Sequence, residues 1–136
     1  DQSSKSGAED DGIGRGGFYQ DFNLDGCLDI FITNLDGKAK LFQNNCNENN
    51  WLLIKPVGTI SNKDGIGTRI ELTTNGKTQI REIAAGSSSM GQNMMEAHFG
   101  LADATKIDRI KLTWPSGIEQ IITNLDVNQI LRVVEK

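Results

Sequence analysis

Proline, cysteine and aromatic side chains are scarce: the 136 residues hold two Pro, two Cys, two Trp, one Tyr and one His. Two cysteines exclude a small scaffold held by several disulfides, and they permit one internal pairing. The single histidine, His98, lies between Ala97 and Phe99, with no nucleophile or orienting partner that the sequence can name, so general-base catalysis has no constellation to work with. It reads as a hydrogen-bonded structural residue of a strand. Ser87, Ser88 and Ser89 lack a G-x-S-x-G elbow, and Asp64, Gly65 and Gly67 are followed by no Lys-Ser/Thr and open no helix, so neither a hydrolase nor a phosphate loop is written here. Both stretches read as turns. No apolar run approaches the roughly 18 residues that span a bilayer, so membrane insertion is not expected of this piece.

What is present points to strands joined by turns. Fifteen Gly and many Asn and Asp punctuate short apolar runs, which is the composition of an all-β fold. The length suits one core, or one domain carrying part of a neighbour. Charge is unevenly spread: residues 1–50 hold nine acidic and four basic side chains, and residues 51–136 hold nine and ten. A basic nucleic-acid face is excluded, and the acidic first third is either solvated or built to hold a cation. The opening DQSSKSGAEDDG has neither an initiator Met nor a leader, so the chain reads as a processed piece, with residues 1–12 as a disordered lead-in of no assigned structure.

From Gly12 the sequence GIGRGGFYQDFNLDGCLDIFITN gives a Gly-rich turn, an aromatic strand, a carboxylate-rich loop, and a strand with apolar side chains on both faces: Leu28, Ile30 and Ile32 on one, Phe31 on the other. Asp36-Gly37 then reads as a two-residue hairpin turn returning into AKLFQNN. That register pairs residues whose numbers sum to 73, opposing Cys27 to Cys46. A disulfide across the hairpin base is therefore expected in an oxidising compartment, although a directly opposed pair at a hydrogen-bonded position has poor geometry. After a polar linker, residues 51–136 give WLLIKPV, a second hairpin at Asn75-Gly76 with a bulge expected near Arg81-Glu82, a Ser/Gly-rich loop, and the alternating runs EAHFGL, IDRIKLTW, IEQIITNL and ILRVVE. This predicts a small antiparallel sandwich or barrel of about six to eight strands. Arg69, Arg81, Arg109 and Lys111 alternate with core positions and read as its solvent side.

The carboxylate loop carries the chemistry. Asp21, Asn23, Asp25 and Asp29 occupy positions one, three, five and nine, with Gly26 at six and the backbone carbonyl of Cys27 at seven. Calcium takes six to eight oxygens at about 2.3–2.6 Å, and this alternation folds several carboxylates around one point, whereas magnesium demands a tighter octahedron and keeps its waters. Position twelve is Ile32, not Glu, and the flanks are strand-like, so this is not a helical calcium hand. A solvated Asp/Asn turn is the competing reading.

The stretch 13–47 resembles the FG-GAP (VCBS-type) repeat of integrin-α-like β-propellers, whose blade loop follows DxDxDGxxD; Asn23 replaces the commoner Asp. Residues 51–136 resemble the ASPIC/UnbV domain found after such propellers in the cartilage acidic protein family, through NWLLIKPVGTISNKDGIGTRIEL, QIREIAAGSSSMGQN, HFGLADATKIDRIKLTWPSG and VNQ. The resemblance implies part of a propeller blade with bound Ca2+, followed by a β domain, in an extracellular, cell-surface or periplasmic protein. The expected function is a non-enzymatic calcium-binding adhesion or interaction module, meeting an extracellular protein or glycan and the remaining blades of its parent. The alternative is a carbohydrate-binding or carbohydrate-processing accessory domain. Trp51 and Trp114 separate the two: buried rings favour the interaction module and exposed rings a sugar platform.

Overall fold

The alternating runs become strands in a computed structural model that describes residues 1–46, 48–87 and 90–136; among these, ten strands and one helical turn form. The chain divides into two compact units, one of Asp1–Cys46 with Gly86–Met94 and one of Asn47–Ala85 with Met95–Lys136.

The first unit is an antiparallel meander of β1 (Gly14–Gln20), β2 (Asp29–Asn34) and β3 (Lys40–Phe42) in that order. Tyr19, Ile30 and Phe42 stand in one row, and Phe18, Phe31 and Leu41 in the next, so apolar side chains occupy both faces. The rings of Phe18 and Phe31 are 5.1 Å apart, with Phe22 6.1 Å from Phe18. Gly16 and Gly17 let residues 90–93 run close beside β1. A Cβ on Gly91 would lie 2.6 Å from Gly17 O, and Asn93 Oδ1 accepts from Tyr19 N–H. The lead-in is not wholly structureless, because Ser3–Ser6 forms α1, one turn closed by Gly7 at φ 75°.

The expected β2/β3 register is off by one. Ile30 faces Phe42 and not Gln43, Gly37 does not take a left-handed φ, and residues 35–39 form a wider connection than a two-residue turn. Asn34 explains this, since its side-chain amide donates across the loop to Lys38 O and back to Asp10, holding it open.

The second unit stacks two sheets. One is β10 (Gln129–Val134), β4 (Asn50–Val57) and β7 (Ala97–Ala102); the other is β6 (Lys77–Glu82), β5 (Arg69–Thr74), β8 (Lys106–Thr113) and β9 (Glu119–Asp126). Neither closes, so the sandwich and not the barrel forms. Leu52, Ile54, Phe99, Leu101 and Val133 from the first sheet meet Ile70, Leu72, Ile107, Ile110 and Leu112 from the second in one core. Each such side chain contributes about 1.5–3 kcal/mol by leaving water. Asn75 and Gly76, both left-handed at φ 49° and 71°, make the expected two-residue hairpin.

Two expectations fail here. The β5/β6 register runs unbroken from Thr74 opposite Lys77 to Arg69 opposite Glu82, with no bulge at Arg81-Glu82. Ile80 simply faces solvent while Ile83 enters the core. The unit is also not wholly antiparallel, because β10 runs parallel to β4. Left-handed Asn128 (φ 56°) swings the chain from the edge of one sheet to the other, donating its N–H to Trp51 O while its side-chain oxygen accepts from Trp51 N–H.

Candidate metal centre

The loop between β1 and β2 is folded by its own carboxylates. Asp21 Oδ1 accepts from Asp25 N–H at 3.1 Å and Oδ2 from Gly26 N–H at 2.8 Å. Asn23 Oδ1 accepts from Asp25 N–H and its side-chain amide donates to Asp25 Oδ2, while Asp25 Oδ1 accepts from Cys27 N–H at 2.9 Å. Gly26 at φ 92° makes the turn, and Leu24 accepts a left-handed φ of 59° while standing exposed. Asp29, the first residue of β2, accepts from Phe22 N–H at 3.0 Å and from Asn44 N–H at 2.8 Å. Thus a segment after β3, which the sequence did not single out, is fastened to the loop.

Burial and charge single out two of these side chains. Asp21 is 4% and Asp29 1% exposed, and among the described residues no Lys, Arg or His is ion-paired with Asp21, Asp25 or Asp29. Buried carboxylates are costly unless a cation or strong hydrogen bonds offset them. Backbone amides supply part of the offset, and each oxygen keeps a lone pair for a metal. In charge and hardness the donor set of Asp21, Asn23, Asp25, the Cys27 carbonyl and Asp29 fits calcium.

Convergence is less complete. Among the described residues, the group of His, Cys, Asp or Glu side chains whose ligand atoms all lie within 4.8 Å is Asp25, Cys27 and Cys46. Asp21, Asp25 and Asp29 do not form such a group, so a shared ion requires their carboxylates to draw closer together, and Asp25 is the exposed one of the three.

Cys27 and Cys46 are joined in a disulfide, with Cα atoms 5.7 Å apart. The register that suggested it is displaced by one residue, yet the pair is bonded because the β2/β3 ladder ends at Ile30 and Phe42 and both cysteines lie in loops beyond it. Cys46 Sγ sits 3.2 Å from Asp25 Oδ1.

Trp114 is 2% exposed in the core, so it cannot stack on a sugar, and Trp51 is half-buried. His98 is half-buried within β7. Ser87 Oγ accepts from Asn93 N–H, whereas Ser88 and Ser89 lie outside the described residues. Lys40 pairs with Asp10 at 2.7 Å; it holds the Asp10 carboxyl below its usual range, with Asn34 assisting, and its own pKa is raised in return.

Glu135 is the polar hub that the sequence reading missed. It is 2% exposed, with Oε2 accepting from the N–H groups of Thr59, Ile60 and Ser61 at 2.7–2.9 Å and Oε1 from the hydroxyls of Ser61 and Ser116. Burial pushes its carboxyl up, but these hydrogen bonds, Ser116 foremost, win and hold it at about 2. Its oxygens are committed to the fold. Strand alternation carried the signal: Leu131, Val133 and Glu135 share a face, and the first two pack on the core.

A family model, ASPIC and UnbV, matches residues 58–136, more than half of the chain. The chain belongs to the ASPIC and UnbV family. The match starts just after β4, although β4 is the central strand of its sheet and supplies Leu52 and Ile54 to the core. The folded unit that contains the ASPIC and UnbV match therefore begins earlier than the match. The chain is also similar to cartilage acidic protein 1 of Mus musculus, Homo sapiens and Xenopus tropicalis, 29% identical to each over 133 residues. These cover 93% of this chain and 20% of each relative, so the chain spans about a fifth of the length of the curated relatives it matches. Among the described residues, no helix is long and apolar enough to cross a membrane.

Proposed function

We propose that this chain is a non-catalytic, calcium-braced interaction module of an extracellular or cell-surface protein. The observation that carries the reading is the pair of buried carboxylates, Asp21 and Asp29, with no cationic side chain ion-paired to them among the described residues, in a loop whose exposed Asp25 can close over an ion. Bound calcium would supply the positive charge that offsets these carboxylates and would gather the loop oxygens around one point. Asp21 and Gly26 fix the turn, Asp29 joins the loop to Asn44, and Asn23 and Asp25 complete the oxygen set.

Two features support the wider assignment. The meander of the first unit, apolar on both faces with Tyr19 and Ile30 each 45% exposed, suits an FG-GAP-like blade segment that packs between neighbours. The Cys27–Cys46 disulfide suits an oxidising compartment. The carbohydrate reading loses Trp114 to the core, which leaves the half-buried Trp51 as its remaining tryptophan.

Calcium titration by calorimetry, with thermal unfolding followed in calcium and in chelator, tests the reading. One saturable site and a higher unfolding temperature in calcium are expected, and Asp25→Ala should abolish both. Undiminished calcium affinity in that variant would remove the site from this loop.

A further inference from the structure

Among the described residues, the cluster of His, Cys, Asp or Glu ligand atoms that already converges is not the oxygen set. Cys27 Sγ, Cys46 Sγ and an Asp25 carboxylate oxygen all lie within 4.8 Å of one another, and Cys46 Sγ is 3.2 Å from Asp25 Oδ1. In the disulfide the two sulfurs carry no thiolate and offer a metal almost nothing, so the cluster is silent while oxidised. We propose that reduction of the Cys27–Cys46 disulfide unmasks a binding site for a borderline-soft divalent cation of the zinc class, formed by the two thiolates and the Asp25 carboxylate.

The distances favour it. Zinc holds sulfur at about 2.3 Å and carboxylate oxygen at about 2.0–2.2 Å in a tetrahedron, which sets ligand atoms roughly 3.3–3.8 Å apart. The cluster lies inside 4.8 Å, so cleavage of the S–S bond lets the sulfurs part by less than the width of one atom while the backbone stays in place. That backbone is held independently of the sulfurs by Asp29, which fastens β2 to Asn44 two residues before Cys46, and by Asp21, which fastens Gly26 one residue before Cys27. Access is open, because Asp25 and Cys46 are exposed and Cys27 is half-buried.

A dithiol reductant gives two electrons and two protons to the disulfide and leaves as its own cyclic disulfide, so Cys27 and Cys46 become thiols. Metal binding then displaces both thiol protons to solvent as the two metal–sulfur bonds form, with Asp25 as third ligand and water in the fourth position. The thiolate site stands without the calcium reading. A consequence that rests on that reading is exchange: Asp25 cannot serve both ions, so the oxidised chain takes the hard cation and the reduced chain the softer one.

Cobalt(II) is the probe, since its thiolate complexes absorb by sulfur-to-metal charge transfer. The full 136-residue chain, reduced with a dithiol that is then removed without oxygen, is titrated in calcium-free buffer. One equivalent should bind with a charge-transfer band and the release of two protons. The oxidised chain and reduced Cys46→Ser should show no such band, and Asp25→Ala should keep the sulfur band while binding at least about tenfold more weakly. No band in the reduced chain, a band that survives Cys46→Ser, or unaltered affinity in Asp25→Ala overturns the proposal. So does a fall of the β2 and β3 amides to the fully unprotected exchange rate on reduction, beyond the partial loss of protection that removal of the crosslink itself brings, because the site would then not be preassembled. Failure of the oxidised chain to bind calcium sinks the calcium reading and leaves the cobalt result standing.

Discussion

Replacing Asp29 by alanine separates the structural from the metal-binding work of this carboxylate. Asp29 is 1% exposed and its oxygens accept from Phe22 N–H and Asn44 N–H. Alanine strands both donors, and a stranded buried donor costs about 1–3 kcal/mol. Both donors belong to exposed residues that water can reach, and the variant also removes a buried charge, so the lower end applies. The expected loss in chelator is about 2 kcal/mol in total. In calcium at a hundredfold excess over its Kd, the wild type gains a further ~2.7 kcal/mol that the variant lacks, which raises the deficit to nearly 5 kcal/mol. The two compact units make a single global unfolding free energy ill-defined, so the assay is native-state hydrogen exchange of the β2 and β3 amides. Equal deficits in both media would mean that Asp29 is not a calcium ligand. No deficit in chelator would mean that its two hydrogen bonds do not hold the return segment.

Cleaving the Cys27–Cys46 disulfide, which closes a loop of sequence separation 19, should destabilise the first unit by about 3 kcal/mol through loop entropy, read from the same amides, while the β5 and β8 amides stay unchanged. Glu135 predicts an acid limb for the second unit. Its carboxyl lies at about 2 in the fold against an ordinary 4.5, so its stabilisation is complete above pH 4.5 and is lost as pH falls through about 2. Glu135→Gln should flatten that limb in urea melts run from pH 2 to 6; an unaltered pH profile would refute the assignment. Phe99→Ala removes a fully buried core ring and should cost the second unit about 3–5 kcal/mol in denaturant unfolding.

Fold class was legible because local rules decide it: Asn75-Gly76 is compatible with one tight hairpin, and the alternation of Ile70 and Leu72, or of Ile110 and Leu112, leaves one face to bury. The misreadings come from partners distant in sequence. Asp36-Gly37 carries the same local signal as Asn75-Gly76, yet Asn34 reaches to Asp10, 24 residues away, and opens the loop by one register step. The parallel β10/β4 pair follows from Asn128 meeting Trp51 across 77 residues, which no window of periodicity contains. For the candidate site, spacing alone singled out Asp21, Asn23, Asp25 and Asp29, whose side chains hydrogen-bond within the one loop, but Asn44 enters through its backbone amide, and a main-chain donor leaves no mark in the identity of a side chain.

That amide ties the parts of the first unit together. β3 is three residues long and makes three register pairs with β2, too short a ladder to carry the return segment past Phe42. What continues the closure is not strand pairing but two crosslinks, Asp29 to Asn44 and Cys27 to Cys46. Both start from the loop that supplies the oxygen set, one from its ninth position and one from its seventh. A cation that draws in Asp25 therefore tightens the same two loops that the disulfide joins. Each restraint lowers the entropy that the other must remove, so their effects should couple and not add. A double-mutant cycle of Asp25→Ala and Cys46→Ser, read from β3 amide exchange in calcium, should give a smaller combined loss than the two single losses together. Strict additivity would mean that the loop and the return segment are held independently.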